Sequence, residues 1–169
     1  MKRLICFFLL LASIISLTAC DQNDTGKKSN FYYVRNQYVY GQENGVMASE
    51  ARSTAEYSDA QEILQAYLSG PQDSTLASPF PSGTQITEFL YKGETLHITL
   101  SAHIVTLPKA KQVLACTCLA RTAMELTGVN AVYFQTDNTE FAYMDPILID
   151  KDSVLLYDDY NSVTPSERN

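Results

Sequence analysis

Ile86-Thr87-Glu88-Phe89-Leu90-Tyr91-Lys92-Gly93-Glu94-Thr95-Leu96-His97-Ile98-Thr99-Leu100 holds two β-prone runs around a glycine turn. Lys92-Gly93 as a two-residue turn predicts a tight hairpin of strands 86–91 and 94–100. In the second strand Leu96, Ile98 and Leu100 alternate with Thr95, His97 and Thr99, so one face is packed and the other wet. With this turn, Tyr91 pairs with Glu94, Phe89 with Leu96, Glu88 with His97 and Thr87 with Ile98. Thr87, Phe89, Leu96 and Ile98 then face a helical layer, and Ile86, Glu88, Leu90, Thr95, His97 and Thr99 share the opposite face. A carboxylate directly across a strand from an imidazole favours the charged form. That reads His97 as an exposed pair-former rather than a catalyst.

Helical patterns flank the hairpin on both sides. Upstream, Ser58-Asp59 carries capping chemistry with Glu62 in the first turn, and Ile63, Leu64, Tyr67 and Leu68 recur at helical spacing before Gly70-Pro71 stops the run. Downstream, Pro108 opens a long helix with Val113, Cys116, Thr117, Ala120 and Met124 along one side, Leu114 and Leu126 nearby, and Gly128 at its end. Residues 129–135 read as the next strand. The order helix, strand, strand, helix, strand predicts an α/β (α+β two-layer) fold: a small mixed sheet with two helices packed on one face. Its expected core joins Ile63, Leu64, Leu68, Val113 and Met124 to Leu96, Ile98, Val132 and Phe134. Further strands are expected at 31–34, 46–52, 147–149 and 154–157. The helix-free face, with Ile86, Leu90 and His97, is the candidate interaction face for a protein partner or a second copy of the chain.

The N-terminus speaks of destination. Lys2 and Arg3 precede an uncharged apolar run from Leu4 to Leu17, shorter than the ~20 residues of a membrane-spanning helix. With small residues before the cut, residues 1–19 read as an export signal peptide. Leu17-Thr18-Ala19-Cys20 resembles the lipobox of bacterial lipoproteins, which makes Cys20 the expected lipid attachment site. Two or more acyl chains anchor stably, at ~0.8 kcal/mol per buried methylene. Residues 20–30 read as a flexible tether spanning ~17 Å on average, so a partner must lie close to the membrane. The expected location is the outer face of the cytoplasmic membrane, and Asp21 after the cysteine favours retention there in a host with two membranes.

The formal net charge is −7, and loss of Lys2 and Arg3 makes it two units more negative. That sign excludes a nucleic-acid partner held by electrostatics. Catalytic and metal chemistry find little footing. Cys116 and Cys118, two apart on a helix, point away from each other and read as small apolar core residues rather than a redox or metal pair. Ser101-Ala102-His103 lacks a nucleophile elbow. Asp145, Asp150, Asp152, Asp158 and Asp159 do not follow calcium-loop spacing and read as a solvated acidic tail. No phosphate loop or zinc spacing occurs, so no catalytic residue, cofactor or metal ligand is assigned.

The motifs taken in order carry a family resemblance. Ala66-Tyr67-Leu68-Ser69-Gly70-Pro71 closes the first helix and Phe80-Pro81-Ser82-Gly83-Thr84 leads into the hairpin. Leu96-His97-Ile98-Thr99-Leu100-Ser101 finishes it, and Glu125-Leu126-Thr127-Gly128-Val129 joins the second helix to its strand. From Phe31 to about Phe141 the chain resembles the GerMN domain, a sporulation and spore-germination module of extracytoplasmic bacterial proteins. It departs from the family pattern with Asp137-Asn138 for Asp-Gly and Thr122-Ala123 for Thr-Leu, and it has room for one copy where some members carry two. The resemblance implies a fold like the ring-building motifs of secretion-type assemblies and a role as an interaction module without cofactors. The expected layout is signal peptide 1–19, lipidated tether 20–30, GerMN-like domain 31–160 and tail 161–169. The expected function is a membrane-anchored, non-catalytic assembly module of the cell envelope, with a small-ligand-binding lipoprotein serving a transporter or sensor as the alternative.

Overall fold

Alternation in Phe31-Tyr32-Tyr33 and capping at Asp59 set the first layer. In the computed structural model, which describes residues 27–37, 45–137 and 144–153, β1 (Lys28–Arg35) buries Phe31 and Tyr33 and leaves Tyr32 half-buried. The strand begins three residues before Phe31, so the last part of the expected tether lies in the sheet. Cys20 and the expected strand at 154–157 lie outside the described residues. β1 pairs antiparallel with β2 (Met47–Ser53) along its length and with the two-residue β3 (Leu76–Ala77) at one end. Asp59 caps α1 (Ala60–Tyr67): its Oδ1 accepts the Glu62 N–H at 2.9 Å, and the Glu62 carboxylate accepts from the Ser58 N–H and hydroxyl. This reciprocal arrangement is the reason the helix starts where the sequence predicts.

β4 (Ile86–Lys92), β5 (Thr95–Leu100), β6 (Ala131–Thr136) and β7 (Ile147–Asp150) form a separate four-stranded sheet in that order. Its pairings run antiparallel, parallel, antiparallel. The parallel β5–β6 pair requires a crossover, supplied by a 3-10 turn (Ala102–Thr106) and α2 (Lys109–Thr127). Pro108 caps α2 at its start, and Gly128 ends it with φ +76°, a left-handed conformation that glycine adopts freely.

The mixed α+β fold and the order of the five central elements agree with the sequence reading, and three points correct it. The strands divide into two sheets rather than one. α2 packs against β1 as well as against β6 and β7, so it is buried on two sides. Hence Ala115, Cys116, Cys118, Leu119, Thr122 and Ala123 are all buried, while Val113 and Leu68, expected in the core, are only half-buried. Ile63, Leu64, Met124, Leu96, Ile98, Val132 and Phe134 are buried as expected.

The third correction is the hairpin register. The turn is Gly93-Glu94, not Lys92-Gly93, so Lys92 pairs with Thr95, Leu90 with His97, Phe89 with Ile98 and Glu88 with Thr99. Gly93 has φ +62° and no other residue type in the described chain has positive φ. A two-residue loop with glycine first satisfies a type II′ turn, whereas lysine first would force positive φ on Lys92. A bulge between Ile86 and Glu88 then reverses the alternation, and Ile86 pairs with Leu100 on the buried side.

Candidate functional site

Parity along the strands defines the open face of the four-stranded sheet. Ile86, Leu96, Ile98, Leu100, Val132, Phe134 and Ile149 are buried on the helical side. On the other side a single row crosses all four strands, because Leu90 pairs with His97, His97 with Tyr133 and Tyr133 with Leu148. Leu90 is 44% and Leu148 59% exposed, and His97 and Tyr133 are half-buried between them. The His97 and Tyr133 rings lie 4.7 Å apart, tilted by 37°, a contact of the kind that adds to simple burial.

Polar rows flank this apolar one. Toward the hairpin turn lie Lys92, Thr95, Ala131 and Asp150 in register. Toward the opposite end, Gln135 Nε2 donates to Thr99 Oγ1 at 3.1 Å, and Thr99 Oγ1 donates to Glu88 Oε2 at 3.0 Å. The Glu88 carboxylate is thus engaged by Thr99, its true cross-strand neighbour, and stands diagonal to His97. Desolvation and then the Lys92 ammonium lower the His97 pKa, and Glu88 opposes them without prevailing. The expected Glu88–His97 pair, with a favoured imidazolium, is therefore corrected: Glu88 pairs with Thr99, and the surroundings of His97 disfavour the charged form.

Of the three residues expected on this face, Leu90 and His97 are there and Ile86 is not. The bulge turns Ile86 inward, where it is 8% exposed, and its N–H donates to Gln65 Oε1 of α1 at 2.9 Å. Sequence reasoning missed Tyr133 and Leu148. Tyr133 was legible as the outward residue between Val132 and Phe134. Leu148 was not, because Ile147-Leu148-Ile149 is apolar throughout and shows no alternation.

The other clusters are structural. Ser101 Oγ lies 3.2 Å from His103 Nδ1 but is buried and accepts the Gln85 N–H at 3.0 Å. This is a clip holding the loop before β4 to the end of β5. Cys116 and Cys118 are free and buried; burial pushes the Cys116 thiol up to about 12 and also raises that of Cys118. Neither is a nucleophile at neutral pH. A cleft of about 330 Å³ between β2 and α1 is lined by Phe31, Arg52, Tyr57, Ile63 and Tyr67 among others. Arg52 Nη2 donates to Glu50 and to the Gly70 carbonyl (2.7 Å), and the guanidinium lies over the Phe31 and Tyr33 rings, while its buried Nε has no hydrogen-bond partner among the described residues. Among the described residues no three His, Cys, Asp or Glu side chains are grouped to hold a metal ion, and no helix is long and apolar enough to cross a membrane.

Among the described residues these features define a class: a small α+β domain whose four-stranded sheet carries an apolar row on the face opposite its buried core. The family model described as "Germane: Sporulation and spore germination" matches residues 30–141, well over half of the chain. The chain belongs to this family, in agreement with the GerMN resemblance read from its motifs. Among solved structures it is similar to the first GerMN domain of the sporulation protein GerM from Bacillus subtilis, at 12% identity with a TM-score of 0.52 over 73% of this chain and 96% of that one. It also matches a candidate lipoprotein from Clostridium perfringens, at 21% identity with a TM-score of 0.42 over 80% of this chain and 94% of that one. No curated protein matches it.

Proposed function

We propose that this protein is an exported lipoprotein, anchored to the outer face of the cytoplasmic membrane through Cys20, that acts as a non-catalytic assembly module in sporulation or germination. The observation that carries the assembly role is the row Leu90–His97–Tyr133–Leu148, which crosses the sheet face with a leucine on each outer strand, 44% and 59% exposed. Large apolar side chains gathered on one face with polar rims are the anatomy of a protein-docking surface. The family's sporulation and germination role gives the setting. The lipobox-like Leu17-Thr18-Ala19-Cys20 supports anchoring, and the short tether keeps the domain near the bilayer. A small-ligand reading would rest on the cleft of about 330 Å³ between β2 and α1, where Arg52 Nη2 is already held by Glu50 and the Gly70 carbonyl.

The test is genetic. A strain lacking the gene is complemented with the wild-type chain, Cys20→Ala, Leu90→Glu or Ser101→Ala, with fatty-acid labelling, spore yield and germination scored for each. Wild type and Ser101→Ala should restore function. Cys20→Ala should lose label and membrane association, and Leu90→Glu should lose function at unchanged protein level. Full rescue by Leu90→Glu would sink the docking role, and loss of function in stable Ser101→Ala would point to catalysis.

A further inference from the structure

We infer that the occupant of the open face is a second copy of this chain, packed sheet to sheet about a two-fold axis that runs parallel to the strands between β5 and β6. This deepens the proposed assembly role and rests on it. The pattern on the face is self-complementary about that axis. Rotation places β4 over β7 of the second copy and β5 over its β6, with each row returned onto itself. Leu90 then meets Leu148 of the second copy, and His97 meets its Tyr133; each contact occurs twice, as an isologous interface requires. In the neighbouring row Lys92 and Asp150 occupy the two outer strands at the same level, as the chain of pairings Lys92–Thr95, Thr95–Ala131 and Ala131–Asp150 fixes. The axis therefore brings each exposed ammonium over a carboxylate of the other copy. An axis at right angles, across the strands, would instead stack Leu90 on Leu90 and leave Leu148 opposite only itself, at the far edge.

The size of the face sets the strength. Four strands about 4.8 Å apart and five residues at about 3.3 Å each make a patch roughly 15–20 Å on a side, smaller than the ~800 Å² per partner of a standard interface. Association of free chains is thus weak. It becomes effective for copies confined to one membrane surface, where tethering raises the local concentration. Aligned sheets about 10 Å apart would seal both leucine pairs and the two ring pairs from water.

The experiment uses the mature chain from Asp21, which lacks the lipidated cysteine. Sedimentation equilibrium from micromolar to near-millimolar concentration should show a monomer–dimer equilibrium, and Leu148→Glu should weaken it at least tenfold with an unchanged circular dichroism spectrum. Cross-linking fixes the axis. Leu90→Cys chains mixed with Leu148→Cys chains should be joined by a short thiol cross-linker, and neither variant should join to itself. Self-joining of Leu90→Cys would overturn the stated axis. A wild-type chain monomeric throughout, with no mixed cross-link, would overturn the second-copy proposal. So would dimerisation confined to a chain ending at Ser153, which would make the C-terminal segment the occupant. A monomeric chain whose Leu90→Glu variant still fails in cells would refute only this inference, leaving the docking role with another protein.

Discussion

β1 is closed along one edge by side chains instead of a strand, which makes the two hydroxyls responsible a sensitive point of the fold. β3 reaches only Val34 and Arg35, so Tyr32 has no ladder partner on that side. Its N–H donates to Thr122 Oγ1 of α2 at 3.0 Å, and its carbonyl accepts the Tyr67 hydroxyl of α1 at 2.7 Å. Tyr67 is fully buried, its ring 4.7 Å from that of Tyr33. Tyr67→Phe keeps that stacking and removes one donor, leaving a carbonyl unpaired. Thr122→Val keeps the shape and removes one acceptor, leaving an N–H unpaired. Each should cost about 1–3 kcal/mol, the range for a stranded buried polar group, because the Thr122 and Tyr67 side chains that these backbone groups meet are fully buried. Once one anchor is lost the strand can shift, so the double variant should fall short of additivity by about 0.5–1 kcal/mol. Tyr32→Phe is the control. Its hydroxyl bonds Glu125 Oε2 at the exposed surface, and it should cost about 0.5 kcal/mol or less. Urea unfolding of the four variants, with unchanged slope, measures all of this. Single variants no costlier than Tyr32→Phe, or a strictly additive double, would refute the idea that α1 and α2 jointly close the β1 edge.

Two glycines separate backbone strain from contact. Gly128→Ala meets open space at φ +76° and should cost about 1 kcal/mol through the left-handed conformation alone. Gly83→Ala adds, at φ +86°, a methyl 3.2 Å from His103 Nε2, whose ring the Ser101 hydroxyl holds in place, so it should cost measurably more in thermal melts. Equal melting losses would show that the imidazole yields freely. With the Cys116 pKa near 12, only about one thiol in ten thousand is ionised at pH 8. Disulfide-exchange reagents should therefore label both cysteines at the rate of unfolding, independent of reagent concentration; prompt labelling of native protein would contradict their burial. Raised thiol and buried-tyrosine values also fix the sign of alkaline destabilisation. The unfolded groups lose protons near 9 and 10 while the folded ones keep them, so the contribution of these groups to stability is present below about pH 9 and is lost as pH rises above it.

Element identity was legible wherever one local signal sufficed. Asp59, Pro108 and Gly128 mark helix ends by chemistry acting within a turn, and the alternation of Leu96, Ile98 and Leu100 announces a half-buried strand. The division into two sheets was not legible. It rests on contacts between β1 and helices some 35 and 90 residues away in sequence, and no local pattern encodes them. The hairpin register failed for a reason a closer reading could supply, since type II′ geometry wants Gly93 in the first loop position. The error was nonetheless harmless for the face. Moving the turn by one residue on both strands changes each partner by two, and a shift of two preserves parity. Leu90 and His97 therefore stay on the open side under either register. Ile86 does not, because a single inserted residue in a bulge changes parity beyond it, and Thr87 carries no mark of the bulge in its own side chain. Its hydroxyl instead donates to the Thr99 carbonyl and to Asp137 beyond β6, partners that exist only once the sheet has formed. A surface read from alternation is thus robust to a misplaced turn and fragile to a bulge, which is why the centre of this face was foreseeable and its end was not.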